Sequence, residues 1–319
     1  MNPTTLAVVI VSFNGEAFIQ EAIESVINEA KVSKIFVVDN ASNDATLSLI
    51  PMHPKIEVIR LSENVGFGSA NNIALTKVLD EEFQYVFLMN QDARLEKGTI
   101  GALVQVAESR RWFGILSPLH LDGTGQALDR NFGNYLKSQG AEGLLEDCLI
   151  SGKLEDVYPL PFVNAAAWLV TRECLERVGG FDPSFFMYGE DDNYCHRVAY
   201  HGLSIGVVPK ARIYHAREDR SPKQNLQQRG GVAKSRVRAL QIKLSNPSIS
   251  DEEAAKTIDG FRLGVIRDGL SSLLRGRMKN AKQAIRIFLS VNETVDSSRR
   301  SAELSRKPGP TFLESKLNT

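Results

Sequence analysis

Leu6-Ala-Val-Val-Ile-Val-Ser-Phe-Asn-Gly15 decides the fold: a continuous apolar run, mostly β-branched, breaks into a short polar turn. A strand that is apolar at every position is buried on both faces, as in the parallel sheet of a layered α/β domain. Residues 16–30 follow with Phe18, Ile19, Ala22, Ile23, Val26 and Ile27 at helical spacing. The unit then recurs. Ile35 to Val38 is a second such strand, with Asp39 to Asp44 as the loop into the next helix. Ile56 to Ile59 is a third, followed by Asn64-Val-Gly-Phe-Gly-Ser-Ala-Asn-Asn72 and a helix through Leu79. Tyr85 to Met89 is a fourth, ending at Asn90-Gln-Asp92. Four such units predict an α/β, doubly wound, mostly parallel sheet flanked by helices. Ligands of such a sheet lie outside the carboxyl ends of the strands, where each polar cluster just named falls.

Downstream, residues 120–160 are glycine-rich and weakly periodic, which suits an excursion near a binding cleft. A strand is expected over 162–170, a helix over 172–178, a helix from about Asp192 to Tyr200, and short strands over 204–208 and 212–215. Beyond Arg220 the chain turns polar, basic and helical. The expected division is 1–220 as the main domain, 221–291 as a basic helical extension and 292–319 as a flexible tail.

Glu190, Asp191 and Asp192 stand together just before the helix expected from Asp192. Adjacent like charges raise at least one carboxyl pKa and make a proton acceptor near neutral pH. A solvated acidic helix start, favoured by the macrodipole, is the plainer reading of the same residues. Asp92 after the fourth strand suits a divalent cation holding a diphosphate, or alternatively the cap of a turn. His215 can complete a metal shell or be a structural histidine. Ser12, Asn14, Asp39 and Asn40 at the first two strand ends can bond a ribose hydroxyl or a base N–H. A dinucleotide-binding fold is set aside, because Gly66-Phe-Gly68 follows the third strand and Asn71 replaces the last glycine of that fingerprint. Nucleotidyl transfer is disfavoured by the first loop, which carries no basic residue.

In chain order, Val11-Ser-Phe-Asn14, Val37-Val-Asp-Asn-Ala-Ser42, Asn64 to Asn72, Leu88-Met-Asn-Gln-Asp92, Gly179-Gly-Phe-Asp182, Tyr188-Gly-Glu-Asp191 and Tyr214-His215 resemble the family 2 glycosyltransferases with the GT-A fold. Within them the resemblance is to the rhamnosyltransferase-like branch, over roughly residues 5–217. It implies a nucleotide-diphosphate sugar held near Ser12, Asn14, Asp39, Asn40, Asn71 and Asn90. It implies Mg²⁺ or Mn²⁺ on Asp92 and His215, and Asp191 as the base of an inverting transfer, with Glu190 and Asp192 supporting the base or the acceptor. Asn90 stands where these folds usually carry the first aspartate of Asp-x-Asp, as in rhamnosyltransferase-like members, which points to dTDP-rhamnose and thins the metal shell. The implied acceptor is a glycan or lipid-linked glycan of a surface polysaccharide. A catalytically idle sugar-nucleotide-binding protein is the alternative, disfavoured by the presence of Asp92, Asp191 and His215.

The chain of 319 residues is 43% hydrophobic and 24% charged, a globular composition. No apolar run approaches the ~20 residues that span a bilayer, and Leu6 to Val11 lacks the basic leader and cleavage site of a signal peptide. Cys148, Cys174 and Cys195 are too few and too widely spaced for a disulfide framework or zinc site, so reduced thiols and a cytoplasmic setting are expected. Net charge is zero but uneven: residues 1–220 carry 19 basic and 29 acidic side chains, residues 221–319 carry 19 and 9. Residues 261–288 combine seven basic side chains and one acid with an apolar series. This segment is expected either to meet the inner face of a membrane or to pack on the main domain; nucleic acid is not an expected partner.

Overall fold

The computed structural model describes residues 5–139, 141, 143–216 and 231–313; the expected boundary at 220 and the end of the expected tail, 314–319, lie outside these. The first half is built as its hydrophobic runs require. β1 (Leu6–Ser12), α1 (Ile19–Ile27), β2 (Val32–Asp39), β3 (Ile56–Arg60), α2 (Phe67–Asp80) and β4 (Tyr85–Asn90) follow in order; the helix expected after the second strand is corrected to a single 3₁₀ turn at Thr46–Leu49. β1 pairs in parallel with β2 and β4, and β2 with β3. Successive β1 side chains feed opposite cores: Ala7, Val9 and Val11 meet α2, whereas Leu6, Val8 and Ile10 meet α1. Each such buried aliphatic side chain contributes roughly 1.5–3 kcal/mol of transfer free energy, so this strand anchors both layers.

The other half of the sheet adds antiparallel pairings. After β5 (Ala93–Leu95), α3 (Thr99–Ser109) and β6 (Phe113–Asp122), the 120–160 excursion contains α4 (Arg130–Gln139), a short turn α5 (Leu144–Glu146) and β7 (Tyr158–Leu160). β8 (Ala167–Thr171), α6 (Arg172–Val178), α7 (Glu190–Tyr200) and β9 (Ser204–His215) complete the domain, and the sheet order is β3-β2-β1-β4-β8-β6-β9-β5. β8 starts five residues later than its apolar run, because 162–166 leave the sheet. The two short strands expected over 204–215 are one strand, whose pairing with β6 slips between Pro118 and Leu119.

Three helices follow: α8 (Gly231–Leu244), α9 (Asp251–Leu274) and α10 (Met278–Ser305). The flexible tail expected from 292 is corrected by α10, which continues to Ser305 with Ser298, Ser301, Ala302 and Ser305 buried. These small residues read as a disordered composition, yet they let the helix approach the main domain closely. Ser301 Oγ donates to the Asp182 carboxylate, and His201 Nε2 lies 2.9 Å from Ser305 O. Beyond α10 the chain hooks under α6. Gly180 N donates to Thr311 O (2.8 Å), Asn72 Nδ2 to Phe312 O (3.2 Å), and Leu313 enters the main core.

Candidate functional site

A cavity of about 790 Å³ opens at the carboxyl ends of β1, β2 and β4 and is closed on its far side by the head of α7. Asn14, Asn40 and Asn90 line it, together with Asn64, Gln91 and Asn164. Asn40 ties two strand ends together: its Oδ1 accepts from Val65 N (2.9 Å) and its Nδ2 donates to Asn64 Oδ1 (3.0 Å). Gln91 clasps the first loop, accepting from Phe13 N (2.9 Å) and donating to Phe13 O (3.1 Å).

Three of the expected donor contacts sit behind the cavity wall. Ser12 Oγ points to Asp39 Oδ1 (3.4 Å), and Asp39 Oδ2 accepts from Ser42 N (3.2 Å), so this buried pair shapes the second loop. Asn71 Nδ2 donates to Phe67 O (3.0 Å), one turn back on its own helix. A residue at a strand end or helix start can face the ligand or brace the loop that does, and spacing alone does not separate the two.

Gly66 and Gly68 serve a close approach of backbone. A Cβ on Gly66 would lie 2.2 Å from Phe186 O, and one on Gly68 2.8 Å from the Phe181 Cβ, so both glycines let the 181–190 segment lie on the start of α2. That segment ends in two left-handed residues, Tyr188 (φ 67°) and Gly189 (φ 96°). Left-handed backbone is costly for a tyrosine and marks a turn held by its surroundings. Arg197, fully buried, does part of the holding: Nη1 donates to Val178 O (2.8 Å), Nη2 to Gly180 O, and Nε to Asn193 Oδ1 (3.0 Å).

The turn delivers Glu190, Asp191 and Asp192 together as the first turn of α7, two residues earlier than the expected helix start. All three line the cavity. Burial, reinforced by the charge of Asp191, pushes the Glu190 carboxyl up to about 8 and that of Asp192 up to about 7. Glu190 therefore keeps its proton at neutral pH and Asp192 is near half-protonation, which leaves Asp191 as the charge both neighbours feel. Among the described residues Glu190 Oε2 and Asn164 Oδ1, both buried, find no hydrogen-bond partner, an arrangement that a polar ligand relieves.

At the opposite wall the ends of β4 and β9 bring together Asp92 and His215. His215 Nε2 lies 3.4 Å from Asp92 Oδ1, and its Nδ1 lies 3.3 Å from Asp129 Oδ2. Burial alone would lower the imidazole pKa, but the two carboxylates outweigh it and raise it to about 9. Asp129, at the start of α4, is held at about 2 against its burial by His215 and the Phe132 amide. The donor set fits a divalent cation once the ion displaces the Nε2 proton of His215. Two ligands each ~2.1 Å from one ion lie about 3.0–3.4 Å apart. Among the described residues no group of three or more metal-type side chains is gathered, so a cation here would take its other ligands from phosphate oxygens and water.

Asp129, Asn164, Tyr135 and, from the extension, Arg238 join the site without having been singled out in the sequence. Asp129 carries one weak signal, an aspartate immediately ahead of a helical run. Arg238 carries none, because only the docking of α8 brings it to the cavity.

The chain matches a family model described as glycosyl transferase family 2 over residues 7–115, and one described as the N-terminal domain of galactosyltransferase over residues 162–219. Among curated proteins it is similar to the low-salt glycan biosynthesis hexosyltransferase Agl10 of Haloferax volcanii, at 26% identity over 66% of this chain and 66% of that protein. It is similar to the N-acetylglucosaminyl-diphospho-decaprenol L-rhamnosyltransferase of Mycobacterium tuberculosis, at 25% identity over 60% of this chain and 68% of that protein. The dTDP-rhamnosyl transferase RfbF of Shigella flexneri is 24% identical over 70% of this chain and 72% of its own. The chain spans about two thirds of the length of these relatives. In fold it resembles Staphylococcus aureus TarS in complex with UDP-GlcNAc (TM-score 0.56, 14% identity, 95% of this chain and 91% of that one). It also resembles GalNAc-T7 with UDP, GalNAc and Mn²⁺ (TM-score 0.54, 17% identity, 82% of this chain and 55% of that one).

Proposed function

We propose, for a chain that belongs to the rhamnosyltransferase-like branch of the family 2 glycosyltransferases, that it transfers a hexose, specifically rhamnose from dTDP-rhamnose, to a hydroxyl of a glycan or lipid-linked glycan. The reaction is a single inverting displacement in surface polysaccharide synthesis. The observation that carries this reading is the acidic turn of α7 set across one cavity from the strand-end asparagines. The donor would lie along Asn14, Asn40 and Asn90, with Ser12, Asp39 and Asn71 holding the loops that receive it. Asp191 takes the proton from the acceptor hydroxyl as the oxygen attacks the anomeric carbon from the face opposite the leaving diphosphate. Glu190, holding its own proton, and Asp192 orient the acceptor. Asp92 and His215 would hold Mg²⁺ or Mn²⁺, which supplies positive charge for the leaving nucleoside diphosphate. The name of the Shigella relative supports the donor, and that of the mycobacterial relative supports an acceptor joined to lipid through a diphosphate.

The test is nucleoside diphosphate release from sugar nucleotides in Mn²⁺ or Mg²⁺. Asp191→Asn should cut acceptor-dependent release by roughly 10²–10⁴-fold with nucleotide binding retained. Transfer at the wild-type rate by that variant would remove Asp191 from the role. A thermal-shift screen of UDP-, GDP-, dTDP- and CDP-sugars tests the donor, since a ligand at a hundred times its Kd adds ~2.7 kcal/mol of stability.

The reading includes peripheral contact with the inner face of a membrane. Among the described residues no helix is long and apolar enough to cross a membrane. On α9, however, Leu263, Ile266, Leu270, Leu273 and Leu274 are exposed at helical spacing, beside the basic side chains of residues 261–288. Such a stripe suits an anionic lipid surface.

A further inference from the structure

Helix α8 lies beyond the part of the chain that carries the sequence motifs, yet it supplies one wall of the cavity through Ser235, Arg238 and Ile242. It is fixed there by side chains of the main domain and its own. Gln241 Nε2 donates to Ser184 O (3.0 Å) and Ser184 Oγ (3.1 Å), and Asn193 Nδ2 donates to Ser245 Oγ (3.1 Å). Ile242 closes on the turn itself, its Cδ1 only 3.1 Å from where a Cβ on Gly189 would lie.

On this braced helix the Arg238 guanidinium lies 5.2 Å from the centre of the Tyr188 ring, the left-handed tyrosine that leads into the acidic turn. It is also near enough to Glu190 to favour that residue's charged form. Among the described residues lining the cavity, Arg238 is the one arginine or lysine, set against the carboxyl groups of Asp92, Glu190, Asp191 and Asp192. The charges of Asp191 and Asp92, joined in part by Asp192, repel a diphosphate unless fixed positive charge meets it. A cation on Asp92 and His215 would supply such charge at the ends of β4 and β9; Arg238 supplies it beside the base turn. The planar fork of a guanidinium matches two phosphate oxygens at once, which a point charge does not.

We propose that Arg238, held against Tyr188 by α8 with Ser235 beside it, forms a diphosphate-binding subsite contributed by the C-terminal extension. The inference rests on the reading of the cavity as a sugar-nucleotide site. Two ligands share the required chemistry: the donor nucleotide, and a glycan joined to lipid through a diphosphate.

The experiment uses the full chain with Arg238→Gln and Arg238→Lys, both first checked for an unchanged melting transition. Calorimetric titration with dTDP and UDP in Mn²⁺ reads the donor, and titration with farnesyl diphosphate reads a lipid diphosphate. Arg238→Gln should weaken at least one arm by about tenfold or more, and Arg238→Lys should restore part of that loss, since it keeps the charge without the fork. Loss in the nucleotide arm assigns the subsite to the donor, and loss in the lipid arm assigns it to the acceptor. Both arms within twofold of wild type overturn the subsite while the cavity reading stands. A wild-type chain that binds none of these probes takes down both.

Discussion

Glu190 shows how a single side chain records the conflict between the site and the fold. It is 5% exposed, and its carboxyl is raised from 4.5 to about 8 by burial and by Asp191. The folded chain therefore holds a proton that the unfolded chain releases above pH 4.5. The associated stability is complete below that pH and is lost as pH rises through about 8. Glu190→Gln removes the penalty, so the variant should gain on wild type by a few kcal/mol between pH 5 and pH 9; urea denaturation across that range measures the gap. A gap independent of pH would mean that Glu190 is not buried as a neutral acid. Asp129 makes the opposite kind of contribution, since its carboxylate fixes the Nδ1 side of His215 and turns Nε2 toward Asp92. Carboxylates behind a metal-binding histidine typically contribute 10–100-fold to metal affinity. Asp129→Asn should therefore weaken Mn²⁺ binding by about that factor in the presence of a nucleoside diphosphate, with the change read by a direct Mn²⁺ titration.

Among the elements, the turn after α6 depends on the hook. Gly179 has φ 87°, and a Cβ there would lie 2.0 Å from Thr311 O. Gly179→Ala should cost about 1–2 kcal/mol from the left-handed backbone alone, and more while 309–313 occupy their place. In a chain cut after residue 308 the extra cost should vanish, and a denaturation cycle over the two changes measures the coupling. The strands and helices around this turn are legible in the sequence where burial is two-sided or periodicity strong, as in β1 and α6. The acids at 190–192 are legible too, because three adjacent carboxylates stand apart from any core pattern. What is not legible is orientation: Ser12, Asp39 and Asn71 occupy the strand ends and helix start the pattern picks out, but Ser12 bonds the Asp39 carboxylate, and Asp39 and Asn71 bond backbone behind the cavity. Long-range assembly is equally hidden. Nothing local to Arg238 marks it as part of a site, and the serines of α10 resemble a solvated tail until the surface they pack against is known.

Across the whole molecule, the extension is braced to the domain by α8, α10 and the hook, while α9 and the start of α10 keep an apolar stripe exposed. Flotation with vesicles should show binding to anionic lipid and little to neutral lipid, and Leu270→Glu combined with Leu274→Glu should abolish it. Equal partitioning into both vesicle types would remove the electrostatic component. The hook also sets a schedule for biosynthesis. Ribosomes deliver a chain from its N-terminus, so the Gly179-Gly180 turn emerges about 130 residues before Thr311 can cap it, roughly 7–26 s at ordinary elongation rates. During that interval the sheet can assemble while the Gly179-Gly180 turn, ahead of the segment that carries the acids, lacks its last partner. The acidic wall of the cavity should therefore mature only when the extension arrives, and a nascent chain should release no nucleoside diphosphate until that segment has cleared the exit tunnel.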